Sequence, residues 1–505
     1  MFADILSGLT LVFQIENILS ALFGVIVGVF FGAVPGFTDI TAMCLLLPFT
    51  LYLNPIASIS MLMGLSKGAN FGGSIPGILF NVPGTPQATV TAFDGYPLTK
   101  QGKSGKALKM ALYASTIADN MSAYILLFFC APVSLMALKI GPPELSMIIL
   151  FSLAVIGIVA CEDLLLGMVS IGIGLFFALI GSDPQLSTPR FCFGSINLTA
   201  GFGLIPMVTG LLIVSEAFIQ IEKGFKRESY SKNVVIKNNK LDEETIRRNK
   251  TVSFQEFKQC LPSILRGVGI GATMGIIPGI GTTVASYLSY VQAKRSSKEP
   301  ERFGKGALEG VAAAEAGNNA VVGPNLIPLI TLGIPGNLAA AIILGAFMVQ
   351  GLVPGPLFMQ QHAPMLYALF IIVIISSLFL FLIGSIFLRL AQKLTSIPKD
   401  FLYPMVIFFG VIGSYIFQNS LFDVQIMLFL ALLGYFFRKL DIPIPSILIA
   451  FILGKIFESK IRQTFLISRG SVNILFTHPI ALLFLILTIV VIIVYSLRKK
   501  PPRAE

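Results

Sequence analysis

The chain has 505 residues, of which 55% are apolar and 12% charged, and its mean hydropathy is +0.85. Many apolar runs approach or exceed the roughly 20 residues that a helix needs to span a bilayer. This composition excludes a water-soluble domain and predicts an all-α polytopic membrane protein with roughly 10–12 transmembrane segments. The net charge of +11 does not indicate nucleic-acid binding, because the basic residues lie in short connections between apolar runs.

Glycine recurs at every fourth position of the first apolar run and again 243 residues later. The first ladder is Gly24, Gly28, Gly32 and Gly36, with Pro35 before its last member, and the second is Gly267, Gly271, Gly275 and Gly279, with Pro278 in the same place. This spacing places glycines on one helix face, where another backbone can approach closely. The terminal Pro-Gly pair predicts that each helix is broken inside an apolar run.

A second Pro-Gly block follows each ladder. Pro76, Ile78, Pro83 and Gly84 recur 252 residues later as Pro328, Ile330, Pro335 and Gly336. The polar stretch 294–305, which the first half lacks, accounts for the larger offset. Two blocks in the same order with one localised insertion favour an internal repeat over a chance match between glycine-rich helices.

The first half is predicted to extend over 1–220 and to begin outside the cell. No Lys or Arg precedes Lys67, so an external N-terminus is expected, and Ile18–Phe31 does not have the features of a removable signal peptide. After the first ladder, the segment Thr41–Leu53 could return to the outside as a re-entrant hairpin. The apolar run Ser58–Phe80 comes next, and later helices are expected near 108–130, 145–160, 163–181 and 201–219.

Residues 221–262 form the long polar stretch of the chain and are predicted to be a cytoplasmic linker. The second half, 263–400, therefore begins inside, and the two halves have opposite orientation. An inverted repeat with paired broken helices is typical of transporters. The remaining residues, 401–505, are predicted to form helices near 401–417, 422–437, 441–457 and 476–497, and the basic end at Arg498 predicts a cytoplasmic C-terminus. Lys455, Lys460, Arg462 and Arg469 conflict with simple alternation, so 441–457 could also be re-entrant.

Several long motifs resemble one known family in the same order along the chain. They are GGSIPGILFNVPGTPQATVTAFDGYP at Gly72–Pro97, IPGIG at Ile277–Gly281, FGKGALEGVAAAEAGNNA at Phe303–Ala320, TLGIPG at Thr331–Gly336 and GLVPGPL at Gly351–Leu357. Together they strongly resemble the TctA family, the large transmembrane subunit of the tripartite tricarboxylate transporters. The resemblance covers about 20–470.

The resemblance implies a cation-coupled carboxylate importer in the bacterial inner membrane. It also implies two partners, a small membrane subunit and a periplasmic solute-binding protein that delivers substrate, and no cofactor beyond the coupling ion, Na+ or H+. Lys67, Asp39 and Gly317 depart from the residues usual in the family. The substrate therefore stays open between citrate-like tricarboxylates and related dicarboxylates.

Broken helices suggest where the substrate and the ion could bind. The N-terminus of a helix carries partial positive charge and can hold a carboxylate, whereas carbonyl, hydroxyl and amide oxygens suit a small hard cation. The predicted substrate-binding residues are Gly36, Thr38, Lys67, Ser74, Asn81, Gly84, Thr85, Gly279, Gly281, Thr282, Gly336 and Asn337. The predicted coupling-ion residues are Asp39, Glu315, Asn318, Asn319 and Thr331.

Simpler roles compete with these assignments. The Gly and Pro residues could serve tight packing alone, the Asn and Thr residues could satisfy freed backbone groups, and Lys67 could reach towards the membrane interface. Asp94 in the Asp-Gly-Tyr-Pro motif is read as a turn or helix cap.

Other functions find less support in the sequence. The Gly-Lys-Ser at 102–104 lacks the earlier glycine of a phosphate loop, because Pro97 stands in that position. The five cysteines and two histidines have no metal-ligand spacing, so neither a metal site nor a disulfide is expected. An intramembrane enzyme would need a nucleophile–base pair or a metal cluster, and none is recognisable. A channel on the same scaffold remains an alternative.

Overall fold

The computed structural model describes residues 2–34, 38–159, 164–183, 186–224, 251–279, 281–394 and 399–496. The helices of its N-terminal part, in chain order, are α1 (Phe2–Val12), α2 (Ile15–Ala33), α3 (Asp39–Leu46), α4 (Pro55–Gly72), α5 (Ser74–Phe80), α6 (Ala88–Lys100), α7 (Ser104–Ala137), α8 (Pro142–Val159), α9 (Leu164–Leu179), α10 (Leu204–Val208) and α11 (Ser215–Gly224). A π-helical stretch, Thr209–Val214, joins the last two. The strands β1 (Gly181–Ser182) and β2 (Pro189–Arg190) pair as a small antiparallel hairpin.

The C-terminal part is also helical. Its helices are α12 (Phe254–Ile276), α13 (Gly281–Ser296), α14 (Leu308–Asn319), α15 (Leu326–Leu332), α16 (Leu338–Val349), α17 (Phe358–Gln361), α18 (Ala363–Leu394), α19 (Lys399–Gln418), α20 (Leu421–Lys439), α21 (Ile444–Ile467), α22 (Ile474–Thr477) and α23 (Pro479–Ser496). Short 3-10 turns lie at Leu47–Tyr52, Ile196–Ala200 and Pro300–Arg302. The largest apolar core contains buried side chains from both parts, such as Leu62, Ile330 and Leu448.

Six helical segments of the described residues are long and apolar enough to cross a bilayer. They are Ile15–Ala33, Ser104–Ala137, Leu204–Glu222, Ala363–Arg389, Leu421–Lys439 and Pro479–Ser496. Shorter apolar helices, such as α8, α9 and α16, lie beside them. An all-α polytopic membrane protein is therefore confirmed.

The glycines of the first ladder bring α2 and α4 into backbone contact. A Cβ atom added to Gly24 or Gly28 would lie 2.0 or 2.1 Å from the carbonyl oxygen of Met61 or Leu65. Helix α4 presents its own row of glycines in return, because a Cβ on Gly68 would lie 2.4 Å from the Val25 carbonyl oxygen. The two glycine faces interlock, and this is the close approach that small residues permit between membrane helices.

The second ladder makes the corresponding contact between α12 and α14. A Cβ atom on Gly271 would lie 2.5 Å from the carbonyl oxygen of Gly317, and one on Gly275 would lie 2.8 Å from that of Val321. Gly269 lies on another face of the same helix and would meet no atom within 4 Å. The four-residue spacing therefore identified the packed face of this helix.

The same order of five helices occurs twice, as α2 to α6 and as α12 to α16. Helices α5 and α15 both have seven residues, and each is followed by a residue with left-handed backbone, Asn81 after α5 and Gly333 after α15. A Cβ on Gly84 would clash with the Gly32 carbonyl and Gly73, and one on Gly336 would meet Asn325 and approach the Gly275 carbonyl. The residue pairs in contact in the second half match those in the first half. The glycine ladders match at an offset of 243 residues, and their contact partners and the later Pro-Gly blocks match at 252. These paired contacts support the predicted repeat, while its inverted orientation in the membrane stays a prediction.

Several predicted helices differ in their limits from the observed ones. The apolar run 58–80 is divided at Gly73 into α4 and α5. Helix α21 continues to Ile467, well past the predicted end at 457, and Arg462 near its end pairs with Asp183, with 2.8 Å between Nη1 and Oδ2. Helix α12 begins at Phe254 because Ser253 and Glu256 form a capping box, so part of the predicted linker is helical. The rest of it (225–250), the Pro35-Gly36 break and Arg498 lie outside the described residues.

We expect Gly271→Ala to destabilise the protein by about 1–3 kcal/mol, because its methyl group would overlap the Gly317 carbonyl and force α12 away from α14. Gly269→Ala in the same helix is the matched control. It should be neutral or stabilising by up to about 1 kcal/mol, since alanine has the higher helix propensity and the site is open. Thermal unfolding in detergent measures both variants, and equal stability of the two would contradict this packing.

Candidate functional site

A cavity of about 190 Å³ is lined by residues that follow the Pro-Gly pairs of both halves along the chain. It has room for about six waters and is smaller than the roughly 300–1,000 Å³ of sites for drug-sized ligands. Its lining residues come from both halves and are Thr38, Asp39, Ile40, Met63, Ser66, Asn70, Pro86, Gln87, Gly281, Thr282, Thr283, Val322, Asn325, Leu326, Asn337, Leu338, Ala339, Ala340 and Ile343.

Of the helices that begin at this cavity, four follow the Pro-Gly pairs of the sequence. They are α3 and α13, which follow the two glycine ladders, and α6 and α16, which follow the second Pro-Gly of each half. Asn337 caps α16 by accepting a hydrogen bond from the Ala340 backbone N–H at 2.9 Å, and Thr38 caps α3 through Thr41 at 3.2 Å. Each start carries partial positive charge, although the first N–H groups of α6, those of Ala88 and Thr89, already donate to the backbone carbonyls of Thr85 and Pro86. Four convergent helix starts form a setting in which a small anion is stabilised without a full positive charge.

Many of the lining residues occupy equivalent positions of the two halves. Thr38, Asp39 and Ile40 match Gly281, Thr282 and Thr283 at an offset of 243 residues, and Asn70, Pro86 and Gln87 match Val322, Leu338 and Ala339 at an offset of 252. The offsets of the predicted repeat thus also relate these lining positions, whereas the side chains differ. Within the lining, Asp39 is the charged residue, and the described lining contains no Lys or Arg.

The polar lining of the first half is held in place by side-chain hydrogen bonds. Gln87 donates from Nε2 to Asn70 Oδ1 at 2.7 Å, and both side chains are buried. Ser286 on α13 donates to the Gln87 carbonyl at 3.4 Å and to the Ala314 carbonyl at 3.0 Å, so it ties this wall to the second half. Buried amide groups with fixed partners keep the cavity wall in one arrangement.

The structure brings together five of the predicted site residues, namely Thr38, Asp39, Gly281, Thr282 and Asn337, in this lining. Gly279 is adjacent to the second break and has a φ of +89°, which favours glycine. Its N–H donates to the Gly336 carbonyl at 2.7 Å, so it joins the two Pro-Gly blocks of the second half. Gly36 lies outside the described residues.

Gly84, Thr85 and Gly336 lie in tight packing beside the cavity. The Gly84 N–H donates to the Gly73 carbonyl at 2.9 Å, and a Cβ on Gly84 would lie 2.1 Å from the Gly32 carbonyl oxygen. A Cβ on Gly336 would lie 1.9 Å from Asn325 Oδ1. These contacts position the second break of each half, and they place these residues behind the cavity wall.

Asn81 and Thr331 lie at the ends of the two short helices. Asn81 is exposed and ends α5 with a φ of 58°. The Thr331 hydroxyl donates to the Ile327 carbonyl of its own helix at 2.7 Å. Neither residue is part of the cavity lining.

Glu315 is the centre of a second polar cluster, which is fully buried. Thr91 donates to its Oε1 at 2.5 Å and Ser115 to its Oε2 at 2.7 Å, and Ser74 also donates to Oε1. Asn319 Nδ2 donates to the Glu315 carbonyl at 3.0 Å. Asn318 is buried with no hydrogen-bond partner for its amide atoms among the described residues. Three predicted coupling-ion residues, Glu315, Asn318 and Asn319, therefore lie close together with Ser74. Asp39 lies separately, in the cavity lining.

Lys67 is held by an ion pair and is not part of the cavity lining. Its Nζ lies 2.9 Å from Asp119 Oδ2, and both side chains are fully buried. Ser377 on α18 accepts from Lys67 at 2.9 Å and donates to the same Asp119 oxygen at 2.9 Å. The ion pair joins α4, α7 and α18, and in this arrangement the charge of Lys67 is neutralised.

Asp94 caps a helix of the opposite half. Its Oδ1 accepts hydrogen bonds from the backbone N–H groups of Gly304, Gly306 and Ala307, each at 2.8 Å. These groups lie just before α14, so Asp94 caps that helix, whereas its own Asp-Gly-Tyr-Pro motif lies within α6 and does not form the predicted turn. The cap fixes α14, and with it Glu315, against α6.

Comparison with known proteins decides the identity of this scaffold. The model of the tripartite tricarboxylate transporter TctA family matches residues 18–449. The chain belongs to the TctA family. It is 32% identical over 504 residues to the uncharacterised 52.8 kDa protein in the TAR-I ttuC' 3' region of Agrobacterium vitis, with 98% of each chain covered. It is 36% identical over 223 residues to an uncharacterised protein in the TAR-II ttuC' 3' region of the same organism, over 44% of this chain and 92% of that protein. No solved structure matches the chain.

Sequence reasoning missed part of the lining of this TctA protein. Ser66, Asn70, Gln87, Thr283 and Asn325 line the cavity and were not among the predicted residues. Thr283 and Gln87 lie within two residues of a predicted helix start, so a wider window around each break would have included them. Asn325 and Asn70 had no comparable signal, because only the fold brings them to the breaks.

Replacing Lys67 with Met should destabilise the protein by about 3–5 kcal/mol, because the buried Asp119 carboxylate would lose its partner. The double variant Lys67→Met/Asp119→Leu should recover much of that loss, since it removes both charges. Lys294→Met, at an exposed position, is the control and should be near neutral. Unfolding midpoints in detergent measure these effects, and a double variant no more stable than Lys67→Met would count against the ion pair.

Proposed function

We propose that the chain is the large permease subunit of a tripartite importer for small carboxylates, either citrate-like tricarboxylates or related dicarboxylates. The observation that carries the proposal is the convergence of four helix N-termini on one cavity in a protein of the TctA family. Helix starts bind carboxylates through backbone N–H groups. The cavity volume of about 190 Å³ suits a small organic acid.

Thr38, Gly281, Thr282 and Asn337 are the proposed substrate contacts on the cavity wall. Hydroxyl and amide groups at helix starts orient an anion that the helix dipoles attract. Gly84, Thr85, Gly279 and Gly336 would act indirectly, by holding the helix starts in position. Lys67 would reach a substrate carboxylate only after release from Asp119, and the ion pair favours a structural role for it.

Transport against a gradient requires an energy source, and the proposed source is an ion gradient, Na+ or H+. Asp39 lies in the cavity, and Glu315, Asn318 and Asn319 lie in the buried polar cluster. Ionisable residues at membrane depth are expensive and mark ion or proton pathways in transporters. The inverted repeat, if it relates the halves as proposed, would let them rock about the shared cavity and open it to each side in turn.

The proposed partners are a small membrane subunit and a periplasmic solute-binding protein that delivers the carboxylate. The proposed location is a bacterial inner membrane, with the N-terminus outside and the C-terminus in the cytoplasm. The family match and the distribution of basic residues support these proposals. An intramembrane enzyme or a channel is the alternative, and saturable uptake that depends on the binding protein distinguishes a carrier from both.

Uptake of labelled citrate and of several dicarboxylates tests the proposal in cells that express the chain with both partners. Uptake should be saturable, should need the binding protein, and should depend on a sodium or proton gradient. Absence of carboxylate uptake with all partners present would contradict the proposed function. It would leave the family and the fold unchanged.

We expect Thr282→Val to weaken the apparent affinity for the transported carboxylate about tenfold, because a hydrogen bond to a charged group contributes about 1.5 kcal/mol or more. Valine keeps the shape of threonine, so the fold should be preserved. Thr273→Val on α12 is the matched control, since its hydroxyl bonds to its own helix outside the cavity. An unchanged half-saturation concentration in folded Thr282→Val would remove Thr282 from the binding site.

A further inference from the structure

Glu315 on α14 lies in a sealed polar cluster between the two halves of the protein. Its hydroxyl donors Ser74, Thr91 and Ser115 come from α5, α6 and α7, and all four side chains are at most 1% exposed. Asn319 on α14 also donates to Oε2, at 3.5 Å. Both carboxyl oxygens are in contact with a hydroxyl group. The carboxyl is therefore held in one orientation and shielded from water.

The charge of this carboxyl has no counter-charge among the described residues. The charged and titratable groups on the helices packed against α14 have other partners or lie elsewhere. Lys67 pairs with Asp119 and Lys106 with Glu256, while Asp94 caps α14 beside Tyr290. The remaining groups are exposed (Lys100, Arg266, Lys294 and Arg295), lie near the starts of α7 and α12 (Lys109 and Lys258) or pack as an apolar thiol (Cys260). On α14 itself, Glu309 accepts from Ser297. A buried carboxylate without a partner is strongly unfavourable. A proton or cation that binds to Glu315 would remove the unfavourable free energy of this buried negative charge.

The spacing of the oxygens favours a proton as that charge. The hydroxyl oxygens of Thr91 and Ser115 lie 2.5 and 2.7 Å from the carboxyl oxygens, which is within the range of a direct O–H···O hydrogen bond. A hard metal ion would lie between its oxygen ligands at about 2.0–2.6 Å from each, which would hold those oxygens farther apart. The cluster is shaped around a carboxyl group and its hydrogen bonds.

The repeat relates this cluster to the cavity. At the offset of 252 residues, Glu315 and Asn318 on α14 match Met63 and Ser66 on α4, and the latter two line the cavity. If the halves exchange roles as the inverted repeat implies, α14 takes the place that α4 has here, and Glu315 reaches the cavity. The carboxyl would then be sealed in one state and in contact with water in the other.

We propose that Glu315 is the carrier of the coupling proton in this transporter. It takes a proton from hydronium, leaving water, while it faces the side of higher proton concentration, and gives the proton back to water on the other side. The inference rests on the proposed function for its role in transport. The protonation of Glu315 itself can be measured without any substrate.

Infrared difference spectroscopy of the purified full-length protein between low and high pH is the first test. The wild type should show the C=O band of a buried protonated carboxyl that disappears as the pH rises. Glu315→Gln should lack this band, and Glu309→Gln on the same helix should retain it. Should Glu315→Gln fail to fold, Glu315→Asp is expected to keep a titrating band at a shifted frequency. A band that is unchanged in either Glu315 variant would overturn the proposal.

Citrate uptake into liposomes that contain the complete transporter is the second test. An inward proton gradient should drive accumulation in the wild type and in Glu309→Gln. In Glu315→Gln the accumulation ratio should fall to about one, while exchange of internal for external citrate continues. Retained proton-driven accumulation in Glu315→Gln, or sodium-dependent and pH-independent uptake in the wild type, would overturn the role of Glu315. If the wild type takes up no carboxylate at all, the proposed function fails, and the infrared result still decides whether Glu315 titrates.

Discussion

Helices can be interrupted at membrane depth only if their freed backbone groups are shielded from lipid. In this protein the shielding depends on backbone-to-backbone contact between α2 and α4 and between α12 and α14, where glycines remove the side chains that would hold the helices apart. Helices α3 and α13, which follow the two glycine ladders along the chain, both begin at one cavity. The proposed transport site is therefore formed largely by helix starts, with Asp39 as the charged side chain of its described lining.

Two kinds of polar centre lie around this framework, and they differ in how charge is balanced. Lys67 and Asp119 neutralise one another and share Ser377, so this centre joins three helices at little net charge. Glu315 has hydroxyl partners in place of a cation. The first arrangement suits a structural joint, and the second suits a group whose charge changes during a transport cycle.

Much of this framework could be predicted from the sequence, because it depends on local patterns. The four-residue spacing of glycine predicted the packed faces of α2 and α12. The Pro-Gly pairs predicted the helix starts at which Thr38, Thr282 and Asn337 lie. Gly64, Gly68 and Gly72 have the same spacing and form the partner face on α4. That signal was present in the sequence and was overlooked.

The contacts that join distant segments could not be predicted in this way. Lys67 and Ser377 are 310 residues apart, and Glu315 and Ser74 are 241 apart. Hydroxyl residues are frequent in membrane helices, and no spacing rule distinguishes Ser115 or Thr91 from the others. The division of the run 58–80 at Gly73 was also missed, because a continuous apolar run does not reveal where its helix ends.

The two walls of the cavity correspond at the offsets of the predicted repeat but differ in their side chains. Asp39, Asn70 and Gln87 of the first half have as counterparts Thr282, Val322 and Ala339 of the second. One wall therefore offers more hydrogen-bonding groups and a negative charge, whereas the other is smaller and less polar. A bound acid with two unlike ends would have one preferred direction in such a chamber. Substitutions on a single wall could then alter which acids are accepted, without disturbing the helix starts proposed to bind the anion.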